Sequence, residues 1–101
     1  DGTIQINANN LTITQSEAIG SITPIEAVIF VGNNNTWTTS SSIITDNDGS
    51  DINLGVGVGG DRLNVNGSVT ITGQIDGNNN DNVVFGADGL GGAITANGTI
   101  D

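Results

Sequence analysis

The feature that most constrains this chain is a short segment of alternating apolar and polar residues, which recurs between turn-forming residues about every ten positions. Alternation of period two gives a strand one apolar face and one polar face, because successive side chains point to opposite sides. We predict a β-strand wherever the alternation occurs. It occurs at residues 3–7, 10–14, 51–54, 62–66 and 68–72.

Two continuous apolar runs and the composition extend this prediction. Residues 27–31 and 83–85 are apolar throughout and are predicted to be strands covered on both faces. Isoleucine, valine and threonine are frequent, and β-branched side chains favour strands over helices. Asparagine and glycine, which tolerate positive φ, fill the intervening turns. The fold class is therefore all-β, and we expect no long helix.

A comparison of the chain with itself indicates a degenerate repeat. Residues 4–14 resemble 63–72, residues 28–32 resemble 83–86, and residues 97–101 resemble 1–5. In a β-solenoid of the parallel β-helix type, short strands stack one coil apart, inward aliphatic residues form ladders, and corner asparagines bond to each other. We predict a β-solenoid, with a β-sandwich as the alternative. Residues 1–101 form a single β-rich domain or a slice of a longer repetitive β-protein.

The charge balance excludes several partners. Arg62 is the only cationic residue, there is no lysine or histidine, and the net charge is −10. Nucleic acids and anionic lipid surfaces are bound through cationic side chains, so we expect no nucleic acid binding. No apolar run approaches the roughly 20 residues that a membrane span needs, so we expect no membrane insertion. An acidic surface without lysine is typical of proteins that work among divalent cations outside the cell. The expected location is extracellular, at a cell surface.

Catalysis is not expected. The chain has no histidine, cysteine, lysine or tyrosine that could act as a base, a nucleophile or a proton donor. A pair of aspartates could cleave glycosidic bonds if a substrate groove separated them, but aspartates within glycine- and asparagine-rich segments are typical turn formers. We therefore predict that the protein is not an enzyme.

The best candidate for a metal site is the acidic segment between residues 46 and 51. Alternate residues of a tight loop can direct carboxylates and carbonyls to one point, and calcium prefers six to eight such oxygens. The candidate ligands are Asp46, Asp48, Ser50 and Asp51, and the candidate cofactor is calcium. The match to an EF-hand is partial, because Gly57 stands where that motif has a glutamate. The alternative is a solvated turn.

A second glycine-rich segment and the single tryptophan also have two interpretations each. Residues 57–63 resemble part of the glycine-rich calcium nonapeptide, but Arg62 places a positive charge where the cation would lie. Trp37, between two threonines, is either a stacking platform for a sugar or an anchor in the core. The scarcity of other aromatic residues favours the core.

Three segments resemble the repeats of known surface proteins. Residues 18–30 read AIGSITPIEAVIF, residues 69–77 read VTITGQIDG, and residues 83–89 read VVFGADG. They resemble passenger repeats of bacterial surface autotransporters, the rickettsial outer-membrane type especially. Residues 85–89 also resemble repeats of giant adhesins exported by type I secretion. The resemblance implies a β-rich structural or adhesive role at the cell surface, and it carries no catalytic residues.

These observations lead to three hypotheses about function. The first is a non-enzymatic stalk or fibre segment of a bacterial cell-surface adhesin, which contacts neighbouring repeats and host or other cell-surface molecules. The second is a self-assembling subunit of an extracellular filament or surface layer, in which exposed strand edges pair with other copies. The third is a calcium- or carbohydrate-binding module, which requires an exposed, preformed site at residues 46–51 or at Trp37.

Overall fold

A computed structural model describes residues 2–49, 51–78 and 80–100 of the chain. Within these residues the chain forms short β-strands joined by turns, and no helix is long and apolar enough to cross a membrane. The strands are β1 (Thr3–Ile6), β2 (Thr12–Gln15), β3 (Ala27–Phe30), β4 (Thr36–Thr39), β5 (Ile43–Ile44), β6 (Ile52–Asn53), β7 (Arg62–Val65), β8 (Val69–Thr72), β9 (Ile75–Asp76), β10 (Asn82–Phe85) and β11 (Ile94–Asn97).

The strands form three parallel sheets that the chain visits in turn. Sheet A has the order β1-β3-β6-β9, sheet B has the order β2-β4-β7-β10, and sheet C has the order β5-β8-β11. One passage through the three sheets is a coil, so β3, β4 and β5 form coil 2. Ile19 takes the place of a sheet C strand in coil 1, because it bridges to Ile43. The prediction of a β-solenoid is confirmed, and a β-sandwich is excluded because its sheets are antiparallel.

One inward ladder runs through the whole stack in sheet A. Its members pair in register, each with the next, at intervals of 23 to 25 residues. They are Ile4, Val28, Ile52, Ile75 and Ile100. The similarity between residues 97–101 and 1–5 is therefore confirmed as a structural equivalence at Ile100 and Ile4, while Asp1 and Asp101 lie outside the described residues.

The two longer internal similarities do not mark equivalent positions. Ile4 belongs to sheet A, whereas Leu63, its predicted counterpart, belongs to sheet B, where it pairs with Trp37. Val28 in sheet A and Val83 in sheet B are mismatched in the same way. Strands of different sheets share short aliphatic sequences and lie next to asparagine- or glycine-rich turns, so they resemble one another. The predicted equivalences of residues 4–14 with 63–72 and of residues 28–32 with 83–86 are therefore wrong.

The core is a narrow aliphatic column inside the coils. Within it, the ring of Phe30 stacks on that of Trp37, with centroids 5.7 Å apart. The buried apolar side chains are Ala27, Val28, Phe30, Trp37, Ile43, Ile52, Leu54, Leu63, Val65, Val69, Ile71 and Ile75. Residues 83–85 are not covered on both faces as predicted. Strand β10 is the edge strand of sheet B, and Phe85 is 41% exposed there.

Candidate functional site

The acidic loop, residues 46–51, connects sheet C of coil 2 to sheet A of coil 3. Asp46 and Asp48 are exposed, whereas Asp51 is only 1% exposed. One carboxylate oxygen from each of these three residues lies within 4.8 Å of the other two. The structure thus brings together three of the four predicted ligands, and the fourth, Ser50, lies outside the described residues.

Backbone bonds to neighbouring coils fix both sides of the acidic loop. The Asp46 N–H donates to the carbonyl of Ile25 at 2.9 Å, which ties the start of the loop to coil 1. At the other side, Asp51 Oδ2 accepts from the N–H of Gln74 at 3.0 Å. Asn47 has a left-handed backbone, with φ of 60°, which turns the chain between them. The loop is therefore held between fixed anchors.

The carboxylates of the acidic loop repel one another. Although the Asp46 side chain is exposed, partial desolvation raises its pKa, and the adjacent carboxylates of Asp48 and Asp51 raise it further. Carboxylate oxygens are the ligands that hard divalent cations such as calcium and magnesium prefer. An acidic triad of this kind could hold a metal ion, and a cation would relieve the repulsion.

A second set of acidic and amide side chains lies at the corner between sheets A and B. We call it the Asx ladder, and it consists of Asn35, Asp61 and Asp81, the residues that immediately precede β4, β7 and β10. Each Oδ1 accepts from the backbone N–H at the same position one coil earlier. The bonds are Leu11 N to Asn35 Oδ1 at 2.9 Å, Asn35 N to Asp61 Oδ1 at 2.8 Å, and Asp61 N to Asp81 Oδ1 at 3.0 Å.

Sequence reasoning anticipated bonded asparagines at corners but did not identify these residues. The available signal is an asparagine or glycine followed by an asparagine or aspartate directly before a sheet B strand, as in Asn34-Asn35, Gly60-Asp61 and Asn80-Asp81. The intervals between ladder positions are 24, 26 and 20 residues, and this irregularity hides the repeat. In the predicted nonapeptide fragment, Asp61 is buried in the ladder and Arg62 is exposed.

Trp37 is an anchor of the core. It is 3% exposed, and its Nε1–H donates to Gln15 Oε1 at 3.0 Å inside the coil. The core interpretation is confirmed, because only 3% of Trp37 is exposed. An apolar cavity of about 320 Å³ opens beside Trp37 at coil 1, and its lining includes the isoleucines Ile4 and Ile13. The carboxylates of the acidic loop do not line it.

No protein-family model, curated protein or solved structure matches the chain. The resemblance to adhesin repeats thus remains a prediction from the residues quoted for it.

Proposed function

We propose that this chain is a non-enzymatic, extracellular structural segment, a stalk or fibre piece of a bacterial cell-surface adhesin. The observation that carries the proposal is the ladder in sheet A, which continues in register from Ile4 to Ile100. Each coil adds a rise of about 4.8 Å, the spacing of neighbouring strands. Length is then a direct product of repetition, as a stalk requires.

The packing of the coils supports the same role. Each coil bonds to its neighbours through parallel strands, so that stability grows by addition of similar units. The net charge of −10 favours solubility and separation of neighbouring stalks. The location at a bacterial surface is supported by the resemblance of residues 18–30, 69–77 and 83–89 to adhesin repeats.

Antibodies raised against the purified chain test the location. Intact cells of the source organism are labelled and counted by flow cytometry, with permeabilised cells and a cytoplasmic marker as controls. We expect labelling of intact cells at the level of permeabilised cells. Labelling that requires permeabilisation would contradict the proposal.

A second candidate function is a self-assembling subunit, and the exposed strand edges favour it. Among the described residues, β1 and β2 form the outer edges at one end of the stack, and β10 and β11 form them at the other. Because all strands are parallel, the edge at one end can pair with the opposite end of another copy. Negative-stain microscopy over a range of concentrations should show filaments if this is the function. Single particles at every concentration, with and without calcium, would contradict it.

A third candidate function is calcium binding, which the grouping of Asp46, Asp48 and Asp51 favours. For a dissociation constant of about 1 mM, typical of extracellular modules, 10 mM calcium stabilises the fold by about 1.4 kcal/mol. Thermal unfolding in chelator and in calcium should show this gain, and Asp48→Ala should reduce it. The control is Glu17→Gln, which removes one exposed negative charge outside the loop. An equal gain in both variants would contradict a specific site.

A further inference from the structure

Asp61 occupies an unusual position in the Asx ladder. Its side chain is 0% exposed, and its Oδ1 accepts from the N–H of Asn35 at 2.8 Å. Its second oxygen, Oδ2, is also buried and has no hydrogen-bond partner among the residues that the structure describes. A buried ionised oxygen without a donor is costly, because it loses its water and gains nothing in return.

Asn35 occupies the same ladder position one coil earlier, and both polar atoms of its side chain form hydrogen bonds. Its Oδ1 accepts from the N–H of Leu11, as Asp61 Oδ1 does from Asn35. Its Nδ2 donates to the carbonyl of Ala8, three residues before Leu11, at 2.8 Å. The equivalent carbonyl one coil later belongs to Gly32, three residues before Asn35. At Asp61 the atom that corresponds to the donating Nδ2 is Oδ2, which has no hydrogen of its own when ionised.

We propose that Asp61 binds a proton on Oδ2 in the folded chain and donates it to a backbone carbonyl of coil 2. The ladder then has a donor at both positions, an amide hydrogen at Asn35 and a bound proton at Asp61. The corner between sheets A and B in coil 3 is consequently a proton-binding site, and this corner becomes less stable when the proton is lost.

The charges around Asp61 agree with this assignment. Burial raises the pKa of Asp61, hydrogen bonding from the backbone and the side chain of Asn35 opposes the rise, and the carboxylate of Asp81 on coil 4 adds to it. Arg62, the next residue on β7, is exposed on the outer face of sheet B. The folded pKa lies above the unfolded value. The stabilisation is therefore complete below the unfolded pKa and is lost as the pH rises through the folded pKa.

Asp61→Asn tests the proposal, because it supplies the missing donor at every pH. Thermal unfolding is followed in chelator from pH 3 to pH 7. At pH 7 we expect the Tm of the variant to exceed that of the unchanged protein by roughly 4 to 8 °C. The difference should close towards acid pH. Asp81→Asn should instead lower the Tm, because both carboxylate oxygens of Asp81 already accept hydrogen bonds, from Asp61 N and Asn78 N.

Carboxyl-carbon NMR of the unchanged protein tests the same point without relying on a variant that must fold. The Asp61 signal should report a neutral acid at a pH where the exposed aspartates are ionised. A midpoint at or below about 3.9, the value of a free aspartate, would overturn the proposal. A Tm of Asp61→Asn below that of the unchanged protein at pH 7 would overturn it as well.

Discussion

The acidic loop and the Asx ladder are built from the same residue types and behave differently. In the ladder, Asn35, Asp61 and Asp81 each direct one oxygen at a backbone N–H of the preceding coil. In the acidic loop, Asp51 makes a comparable bond to Gln74 of the following coil. Asp46 and Asp48 instead lie exposed beside each other and beside Asp51. An aspartate side chain stabilises the stack where a backbone N–H donates to it, and destabilises the stack where only other carboxylates lie beside it.

This difference indicates where function can be placed on a solenoid. A carboxylate oxygen that accepts from a backbone N–H is stabilised by that hydrogen bond and holds the corner together. Carboxylates that face only other carboxylates repel one another, and a bound cation would relieve that repulsion. The ladder is accordingly structural, and the acidic loop is the part of the stack that a divalent cation would change.

The largest expected effect concerns Gly73, which lies against Thr45 and against Asp51 of the acidic loop. This residue has φ of 131°, and a Cβ there would lie 2.2 Å from Thr45 Oγ1 and 2.9 Å from Asp51 Cβ. Gly73→Ala should lower the free energy of unfolding by about 4 kcal/mol, from overpacking and backbone strain together. Urea denaturation measures the loss.

The matched control for this change is Gly67→Ala. Gly67 has φ of 76°, and a Cβ there would meet nothing within 4 Å. Only the backbone strain remains, so the loss should be about 1 to 2 kcal/mol. Equal losses in the two variants would show that the acidic loop is not seated against Gly73 as described.

The next effect tests the ladder itself. Asn35→Ala removes the acceptor for Leu11 N and the donor for Ala8 O, so two backbone groups of coil 1 lose their partners. We expect the free energy of unfolding to fall by about 2 kcal/mol. Hydrogen exchange should show the loss of protection at the Leu11 amide. Asn7→Ala, at an exposed position of the same coil, should change stability by less than about 0.5 kcal/mol. An unprotected Leu11 amide in the unchanged protein would refute the ladder.

The smallest effect concerns repulsion in the acidic loop. The folded pKa of Asp46 is raised, so its contribution to stability is greatest at acid pH and declines as the pH rises through that pKa. Asp46→Asn should remove this decline, raise the Tm in chelator at neutral pH, and reduce the gain from calcium. If the Tm of the variant and the Tm of the unchanged protein change with pH in the same way between pH 3 and pH 7, this would argue against repulsion.

The sequence predicted the fold well where alternation was clear. Strands β1, β6, β7 and β8 lie within the predicted segments, and β2 extends one residue beyond its segment, to Gln15. It did not predict β4, because Thr36–Thr39 contains Trp37 as its only large apolar residue and resembles a polar turn. Residues 36–39 form a strand because they pair with β2 on one side and with β7 on the other side in sheet B. That pairing is a property of the stack and has no local signal.

The candidate sites were predictable to different degrees. Asp46, Asp48 and Asp51 are close in the chain, so a tight loop was enough to predict that they meet. The buried carboxyl of Asp61 was not predictable, because its partner Asn35 is 26 residues away and the coil length varies. Recognition of that pair requires the register of the sheets, which the sequence does not reveal.

The central claim is that length arises from the repetition of coils, and a tandem chain tests it most directly. Residues 1–100 are followed immediately by residues 5–101, because Ile100 and Ile4 occupy the same ladder position. Small-angle X-ray scattering should show one continuous rod, with the radius of gyration rising from 12.3 Å to about 16 Å as about 20 Å is added along the stack. A profile of two separate particles joined by a flexible link would contradict the account.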